Sequence, residues 1–233
     1  MTNLQKRILT SLVIFPLTIF FILKGGYFLL SFLFIVFLTA NYELFLVFKK
    51  KLIILLINLI LILALFSIYH LREDHWVSTY ILVWVIILCV CSDIGGYVLG
   101  KIFKWKKLTS ISPNKTVSGV LGSFIFSFLS LLIMEEIVMG PLSQYLENEI
   151  QNLVSGLSIF TFHFLVPKYF FLSMVFSMTA QTGDLVISYF KRLEKVKDIG
   201  KILPGHGGIF DRIDGLMFVV ILAFILDIFK VFP

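Results

Sequence analysis

Long apolar runs recur through the 233 residues of this chain, and they decide its fold class before any motif is considered. About 20 apolar residues cross the hydrocarbon of a bilayer as one helix. The runs are Ile8 to about Leu23 (with Pro16 inside), Tyr27 to about Phe48, Leu52 to about His70, Trp76 to about Gly100, Ser118 to about Met134 and Gly215 to about Phe232. A further stretch, Val154 to Phe190, is split by Pro167-Lys168 into a short piece, 154–166, and a longer one, 169–190. Composition agrees: 59% of the residues are hydrophobic and 15% charged, where a soluble domain is about one-quarter charged. The expected fold is all-α, a polytopic transmembrane helix bundle forming a single integral membrane domain over residues 1–233.

Lysines set the expected orientation. Lys6-Arg7, the triplet Lys49-Lys50-Lys51 and the run Lys101 to Lys115, which carries five lysines and no acid, all flank spans. Cytoplasmic loops are enriched in Lys and Arg, so these segments are placed in the cytoplasm, loop 101–117 among them. Glu135, Glu136, Glu147 and Glu149 mark a loop on the opposite side. If the charged loop 191–214 shares a side with loop 101–117, an even number of crossings separates them. Val154 to Phe190 then crosses an odd number of times, so the piece 154–166 lies on or dips into the membrane, or stacks as a broken helix. The expected count is about seven full crossings plus one partial element, where hydropathy alone gives eight.

The net charge of +6 suits lysine-rich cytoplasmic loops, and it also attracts anionic head groups and nucleotide phosphates. The basic residues are scattered among the spans, which argues against nucleic-acid binding. Lys6-Arg7 before an apolar run resembles a secretion signal only superficially, because no small-residue cleavage site follows. Cys89 and Cys91 sit inside an apolar run, too close in sequence for a disulfide and without a His nearby to build a metal site.

Within this apolar chain, Asp184 to Asp214 stands apart. These 31 residues hold 11 of the 20 basic and 14 acidic side chains. Charge at that density beside apolar spans is expensive unless paired, solvated or bound. Three- and four-residue spacings put Asp184, Ser188, Lys191 and Arg192 on one helix face. Such a face can simply line a bundle, with the basic side chains snorkelling. Asp211 and Asp214 open the last helix, where the dipole favours acids and capping is an ordinary role. Between the two clusters lies Pro204-Gly205-His206-Gly207-Gly208. Its glycines either form a plain turn around a structural His206, or let backbone N–H groups approach an anion. Lys197-Asp198 reads by default as a solvated pair. Paired acidic clusters flanking a basic hairpin suit Mg²⁺, whose remaining positions go to water and phosphate oxygens.

Two upstream stretches add to this. Asp93 is an intramembrane carboxylate, a functional candidate by default. Ser92, Gly96 and Gly100 recur every four residues, a pattern of close helix packing. Ile111-Ser112-Pro113-Asn114-Lys115-Thr116 either starts the fifth helix as a turn, or binds phosphate through Lys115 with the hydroxyl of Ser112 or Thr116.

The charged stretch has a recognisable form. Ser188-x-x-Lys191-Arg192, four residues, Lys197-Asp198-x-Gly200, then Leu203-Pro204-Gly205-His206-Gly207-Gly208-Ile209-x-Asp211-Arg212-Ile213-Asp214 resembles the signature of the phosphatidate cytidylyltransferases, also called CDP-diacylglycerol synthases. Ser92-Asp93-x-Gly95 with Tyr97 resembles the family's second motif, Ile111-Ser112-Pro113 with Lys115-Thr116 its third, and Gln181-x-Gly183-Asp184-Leu185 the approach to the signature. The resemblance covers roughly residues 90–230, which would hold the catalytic helices, while residues 1–85 match only as generic spans. Three places depart from the family: Ile94 stands for a usual Thr, Val117-Ser118 for Trp-Glu, and Ile187 for a common Glu.

The resemblance implies transfer of the cytidylyl group of CTP to phosphatidate, giving CDP-diacylglycerol and pyrophosphate. It implies Mg²⁺, with a second, monovalent or divalent cation, held by Asp184 and Asp211 with help from Asp214. Lys115, Lys191, Arg192, Lys197 and Arg212 would neutralise phosphates, with Asp198 beside them. His206, Gly205, Gly207 and Gly208 would shape the pocket, with Ser112, Thr116 and Ser188 binding substrate and Asp93 orienting a lysine or joining the metal. The expected setting is the bacterial inner membrane, multi-pass, with the site facing the cytoplasm and a homodimer as the assembly. Two alternatives stand beside it. A membrane transferase using CDP-linked lipids is echoed by Asp211-x-x-Asp214-Gly215, without the remaining acids of that motif. A non-enzymatic, transporter-like paralogue would use the charged face as a pathway, although transporters usually show two-halved symmetry.

Overall fold

The computed structural model describes residues 3–74, 76–109, 112, 115–134, 167–200, 202 and 207–231. Among these, seven helices account for nearly all regular structure: α1 Asn3–Lys24, α2 Gly26–Val47, α3 Lys51–Glu73, α4 Trp76–Phe103, α5 Val117–Ile133, α6 Pro167–Leu193 and α7 Phe210–Ile228. No strand occurs among the described residues, so the all-α expectation holds. Four helices are long and apolar enough to cross a membrane: Gly26–Val47, Lys51–Glu73, Ser78–Phe103 and Lys168–Leu193. The acidic loop at 135–149, the piece 154–166, Gly205 and His206 lie outside the described residues.

The pattern of burial is that of a protein built for lipid. Large apolar side chains such as Phe34 and Phe45 on α2 and Leu55 and Leu59 on α3 are exposed, while nine serines among the described residues are buried. In hydrocarbon the apolar faces already have a good solvent, so small residues that let helices approach closely can share the interior with Leu, Ile and Phe.

The chain divides into two compact units, Met1–Leu82 with Ala180–Pro233, and Val83–Thr179. In the first unit α3 packs along α7 and α2, and α1 along α2. One end is tied by polar contacts. Arg72 donates to the carbonyls of Ile22 and Leu23, the Gly26 N–H donates to Glu73 at 2.7 Å, and Ser78 Oγ donates to Asp227 at 3.1 Å. Gly25 lies where these groups converge, with φ +64° and no room for a Cβ against Arg72 and Glu73. Only glycine meets both demands there. The other end collects the C-termini of α2 and α6 and the N-terminus of α7. The Lys49-Lys50-Lys51 triplet, where α2 passes into α3, therefore shares an end of this unit with the end of α6 and the start of α7.

In the second unit the four-residue repeat does what it predicts. Gly95, Gly96 and Gly100 on α4 lie against Gly119, Gly122 and Ser123 on α5. Ser123 Oγ donates to the Ser92 carbonyl at 2.9 Å, and the Ser92 and Ser177 hydroxyls are 2.8 Å apart. Trp84 is fully buried, donates to Ser130 Oγ at 3.1 Å and meets Phe176 edge-on. After α4 the chain pairs briefly with itself. Leu108 N–H donates to the Lys115 carbonyl at 2.8 Å and Val117 N–H to the Lys106 carbonyl at 3.0 Å. The segment before that pairing alternates exposed lysines (Lys101, Lys104, Lys106, Lys107) with exposed Ile102, Phe103, Trp105 and Leu108.

A Cβ at Gly122 would run into the Gly95 carbonyl oxygen. Gly122→Val should therefore lower stability by about 1–3 kcal/mol, the usual penalty for overpacking, read as an earlier thermal transition in detergent. Leu121→Val, at a lipid-facing position, should leave it unchanged.

Candidate active site

The last turns of α6 and the first turn of α7 build the site, entirely within the first unit. α6 stays helical through Leu193, so Asp184, Ser188 and Lys191 share a face. Ser188 Oγ donates to Asp184 Oδ1 at 3.3 Å, one turn back. Lys191 is only 6% exposed. Its Nζ lies 3.0 Å from Asp211 Oδ1 and 3.2 Å from Asp214 Oδ2, across on α7. A lysine is buried this far only when its charge is met by acids in good geometry. Arg192 turns outward instead, and donates to the Val196 carbonyl at 2.7 Å, closing the turn that follows α6.

Asp211 ties the loop between the two helices together. Besides Lys191 it accepts from Ile199 N–H at 3.0 Å and Gly208 N–H at 3.1 Å. Both ends of the loop thus hang on one carboxylate. Gly207 takes φ +88° beside it, a conformation that favours glycine. Asp214 stands just before the apolar part of α7. Burial, and then the nearby Asp184 carboxylate, push its acid up to about 7, against the pull of Lys191 and the Gly215 N–H. Lys191 thus meets two carboxylates, and Asp184 lies near enough to Asp214 to act on its acid, so the site gathers oxygen donors of the kind a divalent cation takes.

Other expected site residues fall in different places. Lys197, Asp198 and Arg212 are exposed around the loop. Asp93 is exposed on α4, and Ser112 and Lys115 are half-buried, all in the second unit. Thr116 caps α5, accepting from Gly119 N–H at 3.1 Å, which is the turn-starting role weighed for it. Ile187, where the family commonly has Glu, is fully buried in packing.

The sequence reading missed Glu43. It lies near the C-terminus of α2, 1% exposed, and accepts from Ile209 N–H at 3.1 Å and Phe210 N–H at 3.0 Å. Gly200 and Gly208 both back onto its carboxylate. A signal was present: Glu43 is the sole acid in the apolar run Tyr27–Phe48, and intramembrane acids are functional candidates by default.

Residues 46–229 match the model of the cytidylyltransferase family. The chain belongs to this family. The matched residues take in the helices that carry Asp184, Lys191, Asp211 and Asp214, and begin just after Glu43. Among known members, the phosphatidate cytidylyltransferase of Staphylococcus epidermidis is 37% identical over 148 residues, 63% of this chain and 46% of that protein. That of Helicobacter pylori is 34% identical over 171 residues, 72% of this chain and 54% of that protein. That of Rickettsia conorii is 34% identical over 152 residues, covering 63% and 59% respectively. The chain spans about half the length of these relatives of the cytidylyltransferase family.

Removing the ammonium exposes the acids to one another. Lys191→Met should destabilise the protein by about 3–5 kcal/mol, as expected when one partner of a buried ion pair is lost. Thermal denaturation in detergent measures this, and Lys191→Arg should recover part of the loss.

Proposed function

We propose that this chain transfers the cytidylyl group of CTP to phosphatidate, releasing pyrophosphate and leaving CDP-diacylglycerol in the membrane. The observation that carries the reading is the buried Lys191 held between Asp211 and Asp214, inside a complete signature of the family. The chain's similarity to bacterial phosphatidate cytidylyltransferases supports it.

In the proposed reaction a phosphate oxygen of phosphatidate attacks the α-phosphorus of CTP. The bond from that phosphorus to the bridging oxygen breaks, and pyrophosphate leaves with the electron pair. A phosphate monoester has its second pKa near about 6, so the nucleophile is already ionised at neutral pH and needs no strong base. The chain's task is to bring two polyanions together and hold them in line. Exposed Arg192, Lys197 and Arg212 would pair with phosphates at the loop, with Asp198 keeping Lys197 oriented. Lys191 would hold Asp211 and Asp214 in register. Ser188, Gly207 and Gly208 would border the substrate, with Gly205 and His206 completing the turn. By resemblance, Lys115 is proposed to neutralise phosphate, Ser112 and Thr116 to bind substrate, and Asp93 to orient a lysine or join the metal shell.

The donor set fits a hard divalent cation, and Asp184, Asp211 and Asp214 would hold Mg²⁺, which when bound neutralises and aligns nucleotide phosphate oxygens. A second, monovalent or divalent cation is proposed beside it. The chain is further proposed to cross the bacterial inner membrane about seven times with this loop in the cytoplasm, to form one membrane domain, and to pair as a homodimer.

Membranes containing the chain should move label from radioactive CTP into chloroform-soluble lipid, dependent on added phosphatidate and Mg²⁺. Asp184→Asn and Asp211→Asn should each cut this by more than the roughly 10- to 100-fold typical of outer-shell changes. Full activity in either variant overturns the metal assignment. A cysteine placed between Leu142 and Leu146 should label only from the extracytoplasmic side, and labelling from the cytoplasm overturns the crossing count.

A further inference from the structure

We propose that Glu43, on α2, is a positioning residue for this site: its buried carboxylate holds the N-terminus of α7 and so aims Asp211 and Asp214 at their partners. The role rests on the proposed function for its meaning but on geometry for its existence. An α-helix begins with N–H groups that have no partner within the helix. A residue just before the helix usually supplies the cap. At α7 that position is Ile209, which has no side chain able to accept a hydrogen bond. The acceptor comes instead from 166 residues away in sequence, with one Glu43 oxygen on Ile209 N–H and the other on Phe210 N–H.

Three consequences follow from a carboxylate in that place. It opposes the positive end of the α7 dipole and takes the Ile209 and Phe210 N–H groups at this helix start. It fixes the rotation of α7 at its first turn, one residue before Asp211 and four before Asp214. It also accounts for two signature glycines. A Cβ at Gly200 would overlap the Glu43 carboxylate, and one at Gly208 would come within 2.5 Å of Oε2. Glu43 and Asp211 are thus linked through the adjacent amides of Gly208, Ile209 and Phe210, one acid taking the last two and the other the first. Glutamine in place of Glu43 keeps the size but turns an NH₂ toward one of the two N–H donors. Aspartate keeps the charge but is one methylene short.

The test compares wild type, Glu43→Gln and Glu43→Asp in purified full-length protein. It reads kcat and KM for CTP, Mn²⁺ affinity by electron paramagnetic resonance, and thermal stability. Glu43→Gln is expected to lose about 10- to 100-fold in kcat and in Mn²⁺ affinity, the range for groups that orient metal ligands, with KM for CTP little changed. Glu43→Asp should retain more of both. A folded Glu43→Gln protein with wild-type kcat and Mn²⁺ affinity overturns the proposal, as does a kcat loss no larger than the loss of folded protein. If Glu43→Gln does not fold, Glu43→Asp decides: a reduced kcat at unchanged stability supports the role, and wild-type values overturn it. A wild-type chain inactive with CTP and phosphatidate fails the proposed function instead, and Mn²⁺ affinity across the variants then decides Glu43 alone.

Discussion

One ammonium group between two carboxylates governs the charged end of the first unit. Lys191 is nearly dry, and so are the acids it meets on α7. Their attraction offsets the loss of water only while all three stay in register. That register is imposed from outside the pair. Asp211 is held by amides from both ends of the loop, and α7 is held by Glu43. The ion pair, the loop and the helix start form one set of contacts, and displacing any member strains the others.

The two units are held by different means. In the second, glycine and serine let α4 and α5 come within backbone contact, so the cohesion there is van der Waals packing with short hydroxyl bridges. In the first, the contacts that define each end are charged or charge-assisted: Arg72 and Glu73 at one, Glu43, Lys191 and Asp211 at the other. Hydrogen bonds to ionised groups are roughly twice as strong as neutral ones, which lets a few of them hold helix ends whose flanks face lipid.

Much of this was legible in the sequence. Apolar run length gave α2 through α6 to within about three residues, because an uninterrupted apolar run bounded by polar residues leaves a helix little choice of where to end. The four-residue repeat in Ser92, Gly96 and Gly100 pointed to the α4–α5 contact, because helix geometry turns that spacing into a single face. The acidic pair on α7 and the face on α6 were also readable, for the same reason. Glu43 was not, although it was visible as a lone acid. Helix periodicity relates residues on one helix and says nothing about which helix lies opposite, and the long sequence separation to α7 carries no local signal. The roles of Gly200 and Gly208 were hidden with it. A glycine that makes way for a side chain from elsewhere looks, in sequence, like one that frees a turn or admits a phosphate. Thr116 was read with both its possibilities, and the capping one is the one seen.

The end of α4 and the residues just after it have a consequence of their own. Their exposed lysines alternate with exposed Ile102, Phe103, Trp105 and Leu108. Aromatic rings settle at the boundary between acyl chains and head groups, and lysine stems reach from there to water. Such a strip resists motion both into and out of the bilayer, so it sets the draught at which this part of the chain floats. A strip of this composition suits a boundary between apolar and aqueous surroundings, and it belongs to the second unit alone.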